Sequence, residues 1–85
     1  MKHTSIHSAE HKTLVKLLRE MRVVRELTQE QLAEAMGRPQ TYVSAVEKGR
    51  RGLDMLQVRE FCKAMNASFL DLARELEERL EQSRH

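Results

Sequence analysis

Between Thr28 and Gly49 the chain reads as two short helices with a single glycine turn between them. Thr28 can cap the first, and Gln31 three residues on completes a Thr-x-x-Gln capping box. Leu32, Ala33 and Met36 give that helix one apolar face. Gly37 follows at once, where a positive φ is needed to stop a helix. Pro39 is tolerated in a first helical turn, because its missing N–H would have no partner there anyway. Val43 and Val46 form the inward face of the second helix, and Gly49 closes it. Gln40, Thr41, Ser44, Ala45 and Lys48 remain outward, a short set that is polar or small and ends in a cation. This is the spacing of a helix-turn-helix over about residues 28–48, a unit that can place its second helix in a major groove.

The rest of the chain reads as helices too. A first helix is expected to begin after Ser8 and run to about Arg25, with Leu14, Leu18 and Met21 on one face and Leu17 widening it. After the turn-rich Gly49-Arg50-Arg51-Gly52, Asp54 caps a fourth helix, and Gln57 completes a second capping box. Its inward face is expected to be Met55, Val58, Phe61, Cys62 and Met65. Asn66 suits a left-handed position at a helix end. Ser68 then caps a fifth helix, from Phe69 to about Glu81. No strand, repeat or low-complexity segment is evident, so the fold class is all-α, five helices around one core. The expected organisation is an N-terminal arm over 1–8, one domain over 9–82 and a short tail over 83–85.

Composition narrows what such a chain can be. Eighty-five residues make a single domain with a modest core, and at this size only ~60% of the unfolded surface is buried. Aromatic residues are few and tryptophan is absent, so Leu, Val, Met and Ala must build the interior, which suits packed helices. The single cysteine, Cys62, excludes an internal disulfide and is expected in the core. No apolar run approaches a membrane span and no signal-type segment follows Met1. A cytoplasmic protein with no membrane association is expected. His3, His7 and His11 recur every four residues, but His3 and His7 precede the expected helix and no fourth ligand is evident, so no metal site is expected. No nucleophile has a histidine placed by a recognisable motif, and no glycine loop could cradle a phosphate. An enzyme is not expected, nor a cofactor or a small-molecule substrate.

A net charge of only +2 says little about nucleic acid, but its distribution says more. Arg38, Lys48, Arg50 and Arg51 surround the second helix of the turn unit with Glu47 as the only nearby acid. The amide of Gln40 matches adenine N6 and N7, Thr41 and Ala45 offer methyl groups to thymine, and Ser44 can bond several base edges. Lys48, Arg50 and Arg51 lie beyond that face and suit phosphates, as does Arg38. Gln29, opening its helix, can set its amide and the local backbone N–H groups against a phosphate. Tyr42 is open between packing and a phosphate contact.

From about Leu14 to Leu72 the chain resembles the lambda-repressor-like, or XRE-type, helix-turn-helix proteins. The resemblance rests on Thr28-Gln29, Leu32-Ala33, Gly37, Tyr42-Val43-Ser44 and Glu47-x-Gly49, with Arg22 seven residues after Val15. The run Gly37 to Ser44 is similar to a subgroup of phage and mobile-element regulators. The resemblance implies the lambda-repressor-like arrangement of the five helices and base contacts from Gln40, Thr41, Ser44 and Ala45. It also implies a structural ion pair between Arg22 and Glu47. The family usually has glycine where this chain has Glu26, which could turn left-handed at a modest cost or let the helix end differently.

On the last helix Leu72, Leu76 and Leu80 recur every four residues. Leu76 and Leu80 are the candidate dimer interface, against the alternative that this helix packs back on the first. Together these features predict a sequence-specific double-stranded-DNA-binding transcriptional regulator, a repressor acting as a homodimer on a near-palindromic operator. The alternative is a protein-interaction module or antitoxin that binds another protein through its C-terminal helix.

Overall fold

The computed structural model describes residues 8–83, which form five helices and no strand: α1 (Ala9–Val24), α2 (Gln29–Met36), α3 (Gln40–Glu47), α4 (Met55–Ala64) and α5 (Phe69–Gln82). The expected arm, except for Ser8, lies outside the described residues, as do His3, His7 and the last two residues of the expected tail. No described helix is long and apolar enough to cross a membrane.

The helix starts follow the capping chemistry. Ser8, Thr28, Asp54 and Ser68 each accept a backbone N–H three residues on. Gln31 and Gln57 complete the two capping boxes by accepting the backbone N–H of Thr28 and Asp54. Pro39 stands one residue outside the first turn of α3, as an extended N-cap with no side chain to offer.

The first four helices all stop in the same way. A residue with φ between 57° and 74° follows each of them: Glu26, Gly37, Gly49 and Asn66. In each case the next residue's N–H reaches back five positions, Leu27 to Arg22, Arg38 to Ala33, Arg50 to Ala45 and Ala67 to Cys62. This is the Schellman closure, which satisfies carbonyls the helix end would otherwise strand. Of the two outcomes open to Glu26, the chain takes the left-handed one, at a cost of ~1–2 kcal/mol that glycine would not incur.

The core gathers Val15, Leu17 and Leu18 of α1, Leu32 and Ala33 of α2, and Tyr42, Val43 and Val46 of α3. From α4 and its C-cap come Val58, Phe61, Cys62 and Met65, and α5 adds Leu72. Burial pushes the Cys62 thiol above its ordinary range. Met55 departs from the expected inward face, being 72% exposed. It is the first residue of α4, so its side chain emerges at the rim, where no neighbouring helix overlies it. α2 and α3 pack tightly together, α1 lies behind them, and α5 closes on both α1 and α4.

Candidate nucleic-acid interface

α3 turns Tyr42, Val43 and Val46 inward, which fixes what it presents outward. Gln40 and Thr41 are exposed and Ser44 and Ala45 half-exposed, one turn further along. With Lys48 and Arg50 these four line one shallow hollow on the protein surface. The structure therefore brings together every residue proposed from sequence to touch bases and two of those proposed to touch phosphates. Among the described residues no carboxylate pairs with Lys48, Arg50 or Arg51.

Behind that face a fork of hydrogen bonds fixes α3 to α1. Arg22 donates from Nε to Glu47 Oε2 at 2.6 Å and from Nη2 to Glu47 Oε1 at 3.0 Å. Its remaining Nη1 donates to the carbonyl of Leu27 at 2.6 Å. The two side chains are only 11% and 4% exposed, so the pair lies in the fold, beneath the outward face. Planar two-point pairing of this kind is the geometry a guanidinium favours.

Glu47 has a further partner that sequence reasoning missed. Gln29 Nε2 donates to Glu47 Oε1 at 2.9 Å, and Gln40 Nε2 donates to Gln29 Oε1 at 2.7 Å. Gln29 is thus a bridge between the ion pair and the first outward residue of α3. Its spacing of eleven residues from Gln40 is visible in the sequence, but that the two meet depends on the α2–α3 angle.

Arg38, a candidate phosphate contact, and Tyr42, open between packing and a phosphate contact, both take part in the fold. Tyr42 is 8% exposed and stacks on Phe61 with centroids 6.0 Å apart. Its hydroxyl is buried without a hydrogen-bond partner. Arg38 donates from Nε and Nη2 to the two carboxylate oxygens of Glu60, each at 3.0 Å. That pairing raises the Arg38 pKa further and ties the α2–α3 turn to α4. Both contacts have one cause: α4 comes close enough beneath the turn to supply Glu60 and Phe61. Arg51 is exposed, with its guanidinium 4.9 Å from the Tyr42 ring centroid.

Leu76 and Leu80 occupy the far side of the molecule. Leu76 packs partly against the core and Leu80 is half-exposed. Both line an apolar groove of about 400 Å³ running between the start of α1, the start of α4 and the apolar side of α5. His11 and the exposed Met55 lie along the same groove.

Comparison with known proteins agrees with this geometry. A family model described as a helix-turn-helix domain matches residues 13–76. An XRE-family like protein from Pseudomonas syringae pv. tomato superimposes with a TM-score of 0.80 at 37% identity, over 86% of this chain and 89% of that one. The clp gene regulator ClgR from C. glutamicum gives 0.74 at 28% identity, over 85% and 94%. The restriction-modification controller protein C.AhdI from Aeromonas hydrophila gives 0.70 at 29% identity, over 76% and 98%. No curated protein matches the sequence.

Proposed function

This chain belongs to the XRE-type helix-turn-helix family, and on that premise we propose that it is a sequence-specific regulator of transcription that binds double-stranded DNA. The observation that carries the proposal is the hollow on α3. Gln40, Thr41, Ser44 and Ala45 supply amide, hydroxyl and methyl groups at the positions from which a recognition helix meets base edges. Lys48 and Arg50, unpaired at its end, supply phosphate contacts, with Arg51 in the following loop and the α2 N-terminus at Gln29 on the other flank. Similarity to a gene regulator and to a restriction-modification controller supports the same reading.

The regulator acts as a homodimer on a near-palindromic operator, and it represses by occupying that operator. The groove around Leu76 and Leu80 supports the dimer, because a second copy related by a two-fold axis would cover it. A protein-interaction module or antitoxin is the second reading, favoured by the same groove, which another protein could fill.

Selection from random duplexes, followed by titration of the selected site at two salt concentrations, tests the proposal. A DNA reader yields one enriched motif and loses affinity steeply with salt, because bound phosphates release counterions. No enrichment, or a salt-insensitive interaction, would exclude it.

A further inference from the structure

Gln40 is anchored through Gln29, and the buried end of that anchor is an acid. A carboxylate can only accept hydrogen bonds. Glu47, 4% exposed and forked to Arg22, therefore takes an N–H from Gln29. Gln29 must then turn its carbonyl oxygen towards Gln40, and Gln40 must answer with an N–H. The direction of every bond in the chain follows from the one group that has no donor.

This leaves Gln40 with one N–H and its carbonyl oxygen. One donor and one acceptor suit adenine, which shows an acceptor at N7 and a donor at N6 in the major groove. Guanine shows two acceptors there, O6 and N7, and an unanchored glutamine amide could turn both of its N–H groups towards them. We propose that Glu47 is a positioning residue for base reading: acting through Gln29, it holds Gln40 in the one-donor, one-acceptor state that prefers adenine over guanine. The inference rests on α3 being the reading helix. It adds that part of the specificity is set by a side chain that no base touches.

Substitution at the buried end should reverse the chain. In Glu47→Gln the new amide can keep its carbonyl on Arg22 Nε, giving up the Nη2 hydrogen bond, and give an N–H to Gln29 Oε1. Gln29 then donates to Gln40 Oε1, and Gln40 is left with two N–H groups. Gln29→Met cuts the chain at a half-exposed position and leaves the Arg22–Glu47 fork in place. It serves as the deciding variant should Glu47→Gln fail to fold.

Selected duplexes are compared for wild type, both variants and Gln40→Ala, which identifies the base position concerned. At that position wild type should favour adenine over guanine by about tenfold. Glu47→Gln should move the ratio about tenfold towards guanine, and Gln29→Met should bring it close to unity. In the free protein, the Gln40 side-chain amide resonances should shift in both variants, a readout that general loss of stability would not produce in Gln29→Met. Wild-type adenine-to-guanine ratios in the variants, with all sequences weakened equally, would overturn the positioning role while leaving α3 as reader. A Gln40→Ala variant with unaltered preference at every position would overturn the reading of α3, and this inference with it.

Discussion

Arg38 holds its guanidinium 4.4 Å from the centroid of the Tyr42 ring while both of its pairing nitrogens are forked to Glu60. A cation held over an aromatic face is attracted by the ring's negative centre, and here the carboxylate keeps the cation in place. Tyr42 is thereby closed off on that side by Arg38 and stacked against Phe61 in the core.

The Tyr42 hydroxyl has gained nothing from its burial. A buried donor without a partner costs ~1–3 kcal/mol, so Tyr42→Phe should leave the fold intact and raise the melting temperature. For a domain this small ~1 kcal/mol corresponds to ~4–8 °C. Affinity for the selected duplex should be unchanged if the buried hydroxyl serves packing alone. Thermal denaturation and a DNA titration check both halves, and a loss of affinity would restore the phosphate role.

The Arg22–Glu47 fork should behave as a unit. Removing one partner leaves the other charge buried and unpaired, at ~3–5 kcal/mol. Glu47→Ala and Arg22→Ala should each lower the melting temperature by more than ~10 °C. The double variant should cost clearly less than the sum. Additive effects in that cycle would mean that the hydrogen bonds contribute no coupling.

Glu20 and Arg79 join α1 to α5 at 2.8 Å, and that hydrogen bond holds the Glu20 carboxyl below its ordinary range. A lowered folded value stabilises the protein above the unfolded value, and the contribution is lost as pH falls through the folded one. Glu20→Gln should therefore narrow the drop in melting temperature between about pH 5 and about pH 3. Both groups are accessible to solvent, so the change should be small and should shrink in high salt. An unchanged acid drop would show that other carboxylates account for it.

Reading and gripping should separate by mutation. Gln40→Ala should cost ~1–3 kcal/mol at one base position and relax the preference there. Arg50→Ala should weaken all sequences alike and reduce the salt slope by ~1. Identical behaviour of the two variants in a selection assay would point to an incidental basic patch.

Assembly is best tested at Leu80, because Leu76 also packs against the core of its own chain. Wild type should sediment as a dimer. Leu80→Glu should be monomeric, with a melting temperature little changed at low concentration and weakened operator binding. A wild type that stays monomeric both free and on DNA would count against the dimer.

What was legible in the sequence was local. Thr28 with Gln31 and Asp54 with Gln57 mark helix starts because capping partners lie three residues apart, and Asn66 marks a helix end for the same short-range reason. The outward face of α3 followed from the inward spacing of Val43 and Val46. The ties that assemble the helices were not legible. Arg38 meets Glu60 across 22 residues, Arg25 Nε donates to the Met65 carbonyl across 40, and Arg79 meets Glu20 across 59. Each depends on which faces pack, and exposed arginines and glutamates at helical spacing look alike before the packing is known. Met55 failed differently: periodicity put it on the right side of α4 but could not show that the helix begins at the edge of its neighbours.

The position of α5 against α1 has a kinetic consequence. Contacts among α2, α3 and α4 join segments close in the chain, the pattern associated with fast folding. α1, by contrast, packs against α5 as well as α3; its Leu14 lies along one groove with Leu72 and Leu76, and its side is fastened by Arg79. A ribosome releasing this chain from its N-terminus exposes Leu14 well before the α5 residues along its groove exist. The first helix must therefore wait, half-clothed, for the last, and the interval until α5 emerges is when the chain is most open to aggregation.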